Sequence, residues 1–350
     1  MTVEYDGRMA PPCDALLVAS FGGPEAMDDV MPFLENVLRG KDVPPERMRE
    51  VASHYEHFGG KSPINDHCRA LVAAVSQELE RQGPRLPVYW GNRNWRPFLA
   101  DTLRQMKADG VRRALAFVAS AYSSYSGCRQ YLDDIARAQA EIGEGAPAVD
   151  KLRAFYNHPG WVEPLVERVG EAITRVPAER RDRARLVFTG HSVPRAMPGA
   201  GEYEAQLRET AALVAGAFPG RTWSLAWQSR SGPPSQPWLE PDVVDHLRAL
   251  AAAGVRDAVV APIGFLSDHV EVLYDLDLDA KSRALEVGLN MVRAATVGTH
   301  PRFVRMIREL VVERLSSAPV RPALGGRGPA PDVCPPDCCR PAATRSGPAA

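Results

Sequence analysis

Short apolar runs alternate with amphipathic stretches along most of the 350-residue chain. The runs have the length and residue types of buried strands, and the stretches between them repeat apolar positions at helical spacing. The predicted strands are Ala15–Ser20, Leu86–Trp90, Ala114–Ala119, Leu152–Phe155, Arg185–Thr189, Thr222–Trp227 and Ala258–Ile263. The predicted helices include Asn65–Gln82, Pro97–Asp109, Gly160–Thr174, Tyr203–Ala217, Asp242–Ala253 and Pro301–Leu315. Strands that alternate with helices predict parallel βαβ units in an α/β fold, with helices on both sheet faces.

The two halves of the chain resemble each other. LLVASFGGP and LVFTGHSVP both run from an apolar strand through small residues to a proline, and residues 97–123 align with 241–267. Any two βαβ units share some of these features, which is the alternative explanation. We predict two similar Rossmann-like lobes, residues 14–158 and 159–316, with a central cleft where the carboxyl ends of the strands meet. Residues 1–13 form a lead-in, and residues 317–350 form a proline-rich, extended tail that contains cysteines.

Composition narrows the class of protein. Apolar residues make up 45% and charged residues 24% of the chain, and a net charge of −1 gives no electrostatic reason to bind nucleic acid or an anionic membrane. No run approaches the roughly 20 apolar residues of a membrane span, and the N-terminus lacks the basic start of a signal peptide. We expect a soluble cytoplasmic protein whose six cysteines do not form a disulfide framework.

A histidine follows the strand Arg185–Thr189. Gly190 lets the backbone turn, and His191 is then held at the strand end with little freedom. An imidazole in that position can accept a proton near neutral pH or bind a metal ion. The alternative is a histidine that hydrogen-bonds within a loop.

Acidic residues follow the strand Ala258–Ile263. Asp268, Glu271, Asp275 and Asp279 are spaced i, i+3, i+7 and i+11, which on a helix places them on one face. Stacked carboxylates repel one another unless cations or protons compensate, and oxygen-rich rows suit hard or borderline cations. The alternative is a solvated acidic face, although the apolar residues between the acids disfavour it.

These histidine and acidic segments follow strands of the same half, so His191 and Glu271 can meet across the cleft. One imidazole and one carboxylate give a divalent ion an open site. The same pair could also accept protons from a bound substrate.

The motif CPPDCC places Cys334, Cys338 and Cys339 close together near the end of the chain. With Cys128, four thiolates are available, which is the number that an iron–sulfur cluster takes. The alternatives are a zinc site and a tail that binds no metal.

Together, LVFTGHSVP, PIGFLSDHVEVLYDLD, FGGKSPIN and NRNWRPF resemble the ferrochelatase family, over a match from Ala15 to about Leu315. The resemblance implies a class II chelatase-like fold with a porphyrin cleft, and a lyase of haem biosynthesis that inserts Fe2+, its substrate. It implies that His191 and Glu271 bind the iron or take the pyrrole protons, with the assignment between them left open. It further implies roles for four other residues: an acidic path through Asp275 and Asp279, and porphyrin contacts from Ser62 and Tyr131.

The match at Tyr131 requires a one-residue gap. Phe21 stands where some bacterial members have a tyrosine that coordinates the iron of the product. SYSGCRQY together with CPPDCC resembles the bacterial branch that carries a [2Fe–2S] cluster and acts on coproporphyrin III. The resemblance therefore implies coproporphyrin III as the partner substrate, with transient contacts to neighbouring haem-pathway enzymes. The alternatives are a protoporphyrin IX ferrochelatase, a sirohydrochlorin-type cobalt or iron chelatase, and a haem or metal carrier without turnover.

Overall fold

Two parallel four-stranded sheets form the frame of the protein in a computed structural model that describes residues 13–40, 43–233, 235–334 and 338–339. The strand order is β2-β1-β3-β4 in the first sheet and β6-β5-β7-β8 in the second, so the two sheets have the same topology. The strands are β1 (Ala15–Ser20), β2 (Val88–Asn92), β3 (Arg113–Val118), β4 (Ala148–Lys151), β5 (Arg185–His191), β6 (Trp223–Gln228), β7 (Asp257–Ala261) and β8 (Asn290–Arg293).

Helices cover both faces of each sheet, which explains why the central strands are apolar on both sides. They are α1 (Met27–Leu38), α2 (Pro45–Glu56), α3 (Ile64–Gln82), α4 (Leu99–Ala108), α5 (Gln130–Ile142), α6 (Pro159–Thr174), α7 (Ala200–Gly216), α8 (Val243–Ala252), α9 (Val270–Val272), α10 (Lys281–Glu286) and α11 (Pro301–Leu315). Two π-helices, Tyr125–Arg129 and Leu273–Ala280, precede α5 and α10. In the part of the chain that the structure covers, no helix is both long and apolar enough to cross a membrane.

The expected two-lobed fold is confirmed. The aligned helices α4 and α8 each have ten residues and end before a glycine in the left-handed region, Gly110 at φ 82° and Gly254 at φ 85°. One apolar cluster joins the lobes, because Phe117 of the first sheet and Phe188 of the second both belong to it. Helix α11 contacts α3 as well as α6. The predicted lobe boundaries therefore stay a prediction, since the core is continuous across them.

One predicted strand was misplaced. The prediction put a strand at Leu152–Phe155, but the strand is Ala148–Lys151 and the predicted residues lie buried beyond its end. Burial gave those residues a strand-like apolar pattern, whereas β4 is a partly exposed edge strand with the polar sequence AVDK. The edge strand β8 and the helices α1, α2 and α5 were not among the predicted elements.

The described part of the tail, residues 317–334, is extended and anchored; we call it the C-terminal strap. Its Leu324 N–H donates to the Asn157 carbonyl at 2.8 Å, and the Asn157 amide donates to the Gly328 carbonyl at 2.8 Å. Below the strap, Arg153 forms a buried ion pair with Glu313 of α11, with 2.7 Å between Nε and Oε1. Residues 335–337 and 340–350 of the predicted tail lie outside the described residues.

Candidate active site

Two glycines allow the chain segments that follow β5 and β7 to lie against each other. The Gly264 N–H donates to the Thr189 carbonyl at 2.9 Å. A Cβ added at Gly264 would lie 2.6 Å from the Cα of Gly190, and a Cβ added at Gly190 would lie 2.8 Å from Leu207 Cδ1. Only glycine fits such a close backbone approach. This approach brings His191 beside the segment that carries Glu271.

The structure brings His191 and Glu271 together. His191 is the last residue of β5 and Glu271 lies in α9, and 3.8 Å separates His191 Nε2 from Glu271 Oε2. The two side chains are 36% and 43% exposed, so both reach solvent at the carboxyl ends of the strands. His191 Nδ1 lies in hydrogen-bond contact with the Ser192 carbonyl. We therefore assign the proton to Nδ1, which leaves the Nε2 lone pair facing Glu271.

The predicted acidic row does not form a single face. Asp268 precedes the helical segment 270–286, which we call the acidic helix, and its carboxylate is bound by Arg293 instead of facing Glu271. Asp279 pairs with Arg283, with 3.4 Å between Oδ1 and Nε. Asp275 accepts hydrogen bonds from Ser229 and Gln228. Only Asp268 therefore leaves the predicted row, while Glu271, Asp275 and Asp279 lie along the acidic helix.

Asp275 is the acid whose pKa is most clearly shifted in this region. Burial raises its pKa to about 6, the negative charge of Glu271 adds to the rise, and the Ser229 hydrogen bond opposes it. Beyond it, burial raises the pKa of Asp242, and the charges of Asp245 and, less strongly, of Asp279 add to that rise. Sequence reasoning missed Asp242, which reads only as the cap residue of α8; its carboxylate accepts a hydrogen bond from the Val244 N–H at 2.8 Å.

The first lobe reaches the acidic helix through α2. The His54 ring stacks on the Tyr274 ring with centroids 3.7 Å apart, and Tyr55 belongs to an apolar cluster with Val270. Burial lowers the pKa of His54. Part of the first lobe therefore covers the helix that carries Glu271.

His269 and His67 also lie near the His191–Glu271 pair. Burial lowers the pKa of His269, and the charges of Glu271, His191 and His67 also act on it. Sequence reasoning passed over His54, His67 and His269. A signal existed only for His269, which lies within the acidic motif.

Ser62 and Tyr131 are both buried within the first lobe. A Cβ at Gly23 would lie 3.0 Å from Ser62 Oγ, so Ser62 sits under the turn that follows β1. The Tyr131 ring lies on α5 with the Arg93 guanidinium 4.8 Å from its centroid, and burial raises its pKa to about 12. Their porphyrin contacts stay predictions.

Phe21 packs edge-on against Phe33, with ring centroids 6.2 Å apart. Its side chain offers no atom that could bind a metal ion.

The four cysteines of the predicted cluster site are neighbours. Cys128 hydrogen-bonds to Cys334, and 3.6 Å separates the sulfur atoms of Cys338 and Cys339. The hydrogen bond to Cys334 and burial raise the pKa of Cys128. All of these cysteines are free thiols. Within the described ranges, no group of three or more His, Cys, Asp or Glu side chains has the arrangement of a metal site.

A glycine beside one of these thiols allows its close approach to the backbone, and a nearby lysine supplies a positive charge. Cys339 lies against Gly199, where an added Cβ would be 2.7 Å from its sulfur, and the Lys151 ammonium acts on Cys128 and Cys334. Cys128 belongs to the π-helix Tyr125–Arg129. This π-helix directly precedes α5, which carries Tyr131.

Comparisons with known proteins agree with this arrangement. The sequence model of the family "Ferrochelatase" matches residues 13–315. The ferrochelatase of Rhodopirellula baltica is 55% identical over 330 residues, which cover 94% of each chain. The coproporphyrin III ferrochelatase of Streptomyces coelicolor is 51% identical over 94% of each chain, and that of Mycolicibacterium smegmatis is 52% identical over 88% of this chain and 92% of its own.

Solved structures show the same fold at low sequence identity. SirB from Bacillus subtilis with Fe3+ aligns at a TM-score of 0.53 and 11% identity, covering 85% of this chain and 96% of SirB. CbiX, the terminal enzyme for biosynthesis of sirohaem in denitrifying bacteria, aligns at a TM-score of 0.51 and 16% identity, covering 86% of this chain and 100% of CbiX. At these identities the likeness concerns the two-lobed fold alone.

Proposed function

The chain belongs to the ferrochelatase family, and on that premise we propose that it inserts Fe2+ into coproporphyrin III to give Fe-coproporphyrin III in haem biosynthesis. The observation that carries the proposal is the 3.8 Å separation of His191 Nε2 and Glu271 Oε2 at the solvent-accessible ends of the strands. Relatives that are 51% and 52% identical over most of the chain are named coproporphyrin III ferrochelatases, which supports coproporphyrin III over protoporphyrin IX as the substrate.

The chemistry requires one metal ion to enter the ring and two pyrrole protons to leave it. His191 and Glu271 between them supply a ligand for the incoming Fe2+ and an acceptor for the protons. The Ser192 carbonyl orients the imidazole so that its Nε2 lone pair is available. Because the pKa of Asp275 is raised to about 6, this carboxylate can accept a proton and release it near neutral pH.

The acidic path then continues through Asp279, which lies close enough to Asp242 to raise the pKa of that residue. Phe21 provides no ligand for the iron of the product. The product must therefore be held by other groups or be released more readily.

The test is an anaerobic insertion assay followed by visible spectroscopy. Purified protein receives Fe2+ with coproporphyrin III, protoporphyrin IX or sirohydrochlorin, and we expect turnover with coproporphyrin III to be fastest. Turnover with sirohydrochlorin alone would support the sirohydrochlorin chelatase. Binding of a porphyrin without any turnover would support a carrier.

His191→Ala is expected to abolish insertion while coproporphyrin III still binds, because the ring contacts come mainly from other residues. His246→Ala is the matched control, since His246 is a partly buried histidine of the same lobe that contacts Ser224 at 2.6 Å. A near-normal rate for His191→Ala would show that the site assignment is wrong.

We also propose a [2Fe–2S] cluster at Cys128, Cys334, Cys338 and Cys339. The adjacent thiols support it, and so does the nearby Lys151 ammonium, because a thiolate-bound cluster is anionic. No step of iron insertion passes through this site.

The cluster proposal predicts brown protein with absorbance between roughly 320 and 550 nm. Cys338→Ser should lose this absorbance. The control Cys68→Ser, which removes a buried thiol that hydrogen-bonds to Ser20, should keep it. Colourless protein with stoichiometric zinc would contradict the cluster and support a zinc site.

We further infer that the enzyme works in the cytoplasm and contacts the next haem-pathway enzyme transiently. Six free cysteines and a ferrous substrate suit a reducing compartment. The product still carries the propionates of coproporphyrin, so an enzyme that decarboxylates them must receive it. Pull-down of that enzyme only while product is present would support the transient contact.

A further inference from the structure

Arg293 occupies the end of a strand that sequence reasoning missed. It is the last residue of β8, which pairs in parallel with β7, so its side chain emerges at the same sheet edge as His191 and Glu271. The side chain is only 16% exposed. A guanidinium buried to this degree needs partners for its charge and its donors.

Those partners lie on both sides of Glu271 in the sequence. Arg293 Nη1 and Nη2 donate to the two oxygens of Asp268 at 3.1 and 3.2 Å. Arg293 Nε donates to Asp277 Oδ1 at 2.8 Å. The Thr296 hydroxyl also donates to Asp268, at 3.1 Å. The Arg293 guanidinium, whose donors point in fixed directions like a fork, therefore links Asp268, three residues before Glu271, to Asp277, six residues after it.

The negative charges of this segment explain why a guanidinium is needed beside it. Asp268, Glu271, Asp275 and Asp277 lie within ten residues, and their mutual repulsion would push the segment apart. Arg293 binds two of them through a planar group with fixed donor directions, which a lysine cannot reproduce. Arg293 does not pair with Glu271 or Asp275.

We propose that Arg293 is a positioning residue that holds Glu271 at the correct distance from His191 by pinning the acidic segment at Asp268 and Asp277. This inference rests on the proposed iron insertion. Arg293 does not contact the reacting atoms; it acts through Glu271. A displacement of about 1 Å at a reacting group can lower a rate about 100-fold.

The test measures insertion kinetics and porphyrin affinity of Arg293→Ala. We expect kcat to fall by about 100-fold, with the Kd for coproporphyrin III within about twofold of wild type. Arg293→Lys keeps the positive charge but loses the fixed arrangement of donors, so its kcat should lie between those of wild type and Arg293→Ala. Arg293→Ala should also recover rate with added ethylguanidinium, which can replace the missing donors to Asp268 and Asp277.

The matched control is Arg180→Ala. Arg180 forms the same kind of fork with Asp257, at 2.7 and 3.2 Å, but at the opposite end of the second sheet. We expect its kcat to stay within about twofold of wild type. Equal losses of rate and of thermal stability in Arg180→Ala and Arg293→Ala would mark a general effect on folding and overturn the inference.

Asp277→Asn covers the case in which Arg293→Ala fails to fold. It weakens only the contact to Asp277, whose side chain is 34% exposed, and keeps both hydrogen bonds to Asp268. Its kcat should fall several-fold at an unchanged thermal midpoint, and an unchanged kcat would overturn the inference. If the wild type inserts iron and Arg293→Ala is fully active, the role of Arg293 is overturned and the proposed function stands. If the wild type does not insert iron, both the proposed function and the role of Arg293 are overturned.

Discussion

At the scale of single residues, the site depends on what lies beside each group. His191 and Glu271 could be chosen from the sequence because each follows an apolar strand, and parallel strands end at one edge. Asp242, His67 and Arg293 could not, because their importance comes from partners that are distant in sequence. Asp268 looked equivalent to Glu271 in spacing, and only the structure shows that Arg293 binds it.

The raised pKa of Asp275 predicts a pH dependence. A carboxyl with a pKa of about 6 is protonated below that pH, so a relay that needs the ionised form slows as the pH falls through about 6. Asp275→Asn should lower kcat at pH 7.5 by about tenfold and make the acid-side decline shallower. The measurement is kcat for iron insertion between about pH 5 and 8.

Asp101→Asn is the control for this profile, since Asp101 is a 61% exposed acid on α4 that pairs with Arg104 at 2.8 Å. Its profile should overlay that of wild type. If Asp275→Asn keeps the wild-type rate and the same acid limb, Asp275 is not part of the proton path.

At the scale of elements, amphipathic helices were predictable and short edge strands were not. Helices α6 and α11 begin with Pro159 and Pro301 in the first turn, a strong start signal, and their predicted limits agree within one residue. The four-residue strands β4 and β8 have too few apolar positions to show a period. The C-terminal strap has no period at all, since backbone and side-chain hydrogen bonds hold it in place.

The buried pair below the strap predicts a large stability effect. Arg153 and Glu313 are 1% and 3% exposed, and Arg321 of the strap also binds Glu313 at 3.0 Å. Glu313→Gln leaves the buried Arg153 guanidinium without its counter-charge, whereas Arg321 keeps Asp332 at 3.2 Å, and the change should cost about 3 kcal/mol of unfolding free energy. Thermal unfolding should show a midpoint lower by about 5 °C.

Glu171→Gln provides the comparison, because Glu171 is 60% exposed and pairs with Arg168 at 3.0 Å on the surface of α6. Its midpoint should move by less than about 1 °C. Equal midpoints for Glu313→Gln and wild type would show that the strap is not fixed through this pair.

At the scale of the whole molecule, the internal similarity of the halves predicted the shared sheet topology. It did not predict how the lobes meet, because the contact faces carry no periodic signal. The Tyr122 hydroxyl of the first lobe donates to the Ile263 carbonyl of the second at 2.8 Å, and the Ser123 N–H donates to Gln206 Oε1 at 2.7 Å. Ile263 directly precedes Gly264, so this seam adjoins the segment that leads to Glu271.

Tyr122→Phe tests the seam. Loss of a buried hydroxyl leaves the Ile263 carbonyl without its donor, which should cost about 1 to 2 kcal/mol of unfolding free energy. Tyr89→Phe removes a hydroxyl that bonds Asp109 at the surface, at 2.8 Å, and should cost less than about 0.5 kcal/mol. Denaturant unfolding of both variants is the measurement, and equal stabilities would mean that the Tyr122 bond does not secure the lobes.

The route of the C-terminal strap also orders events during biosynthesis. Cys128 is translated early, within the first lobe, whereas Cys334, Cys338 and Cys339 emerge from the ribosome about 200 residues later. A nascent chain can therefore offer only one of the four sulfurs while its lobes fold. The [2Fe–2S] cluster that we propose could therefore be inserted only into a nearly finished polypeptide, after the lobes have folded.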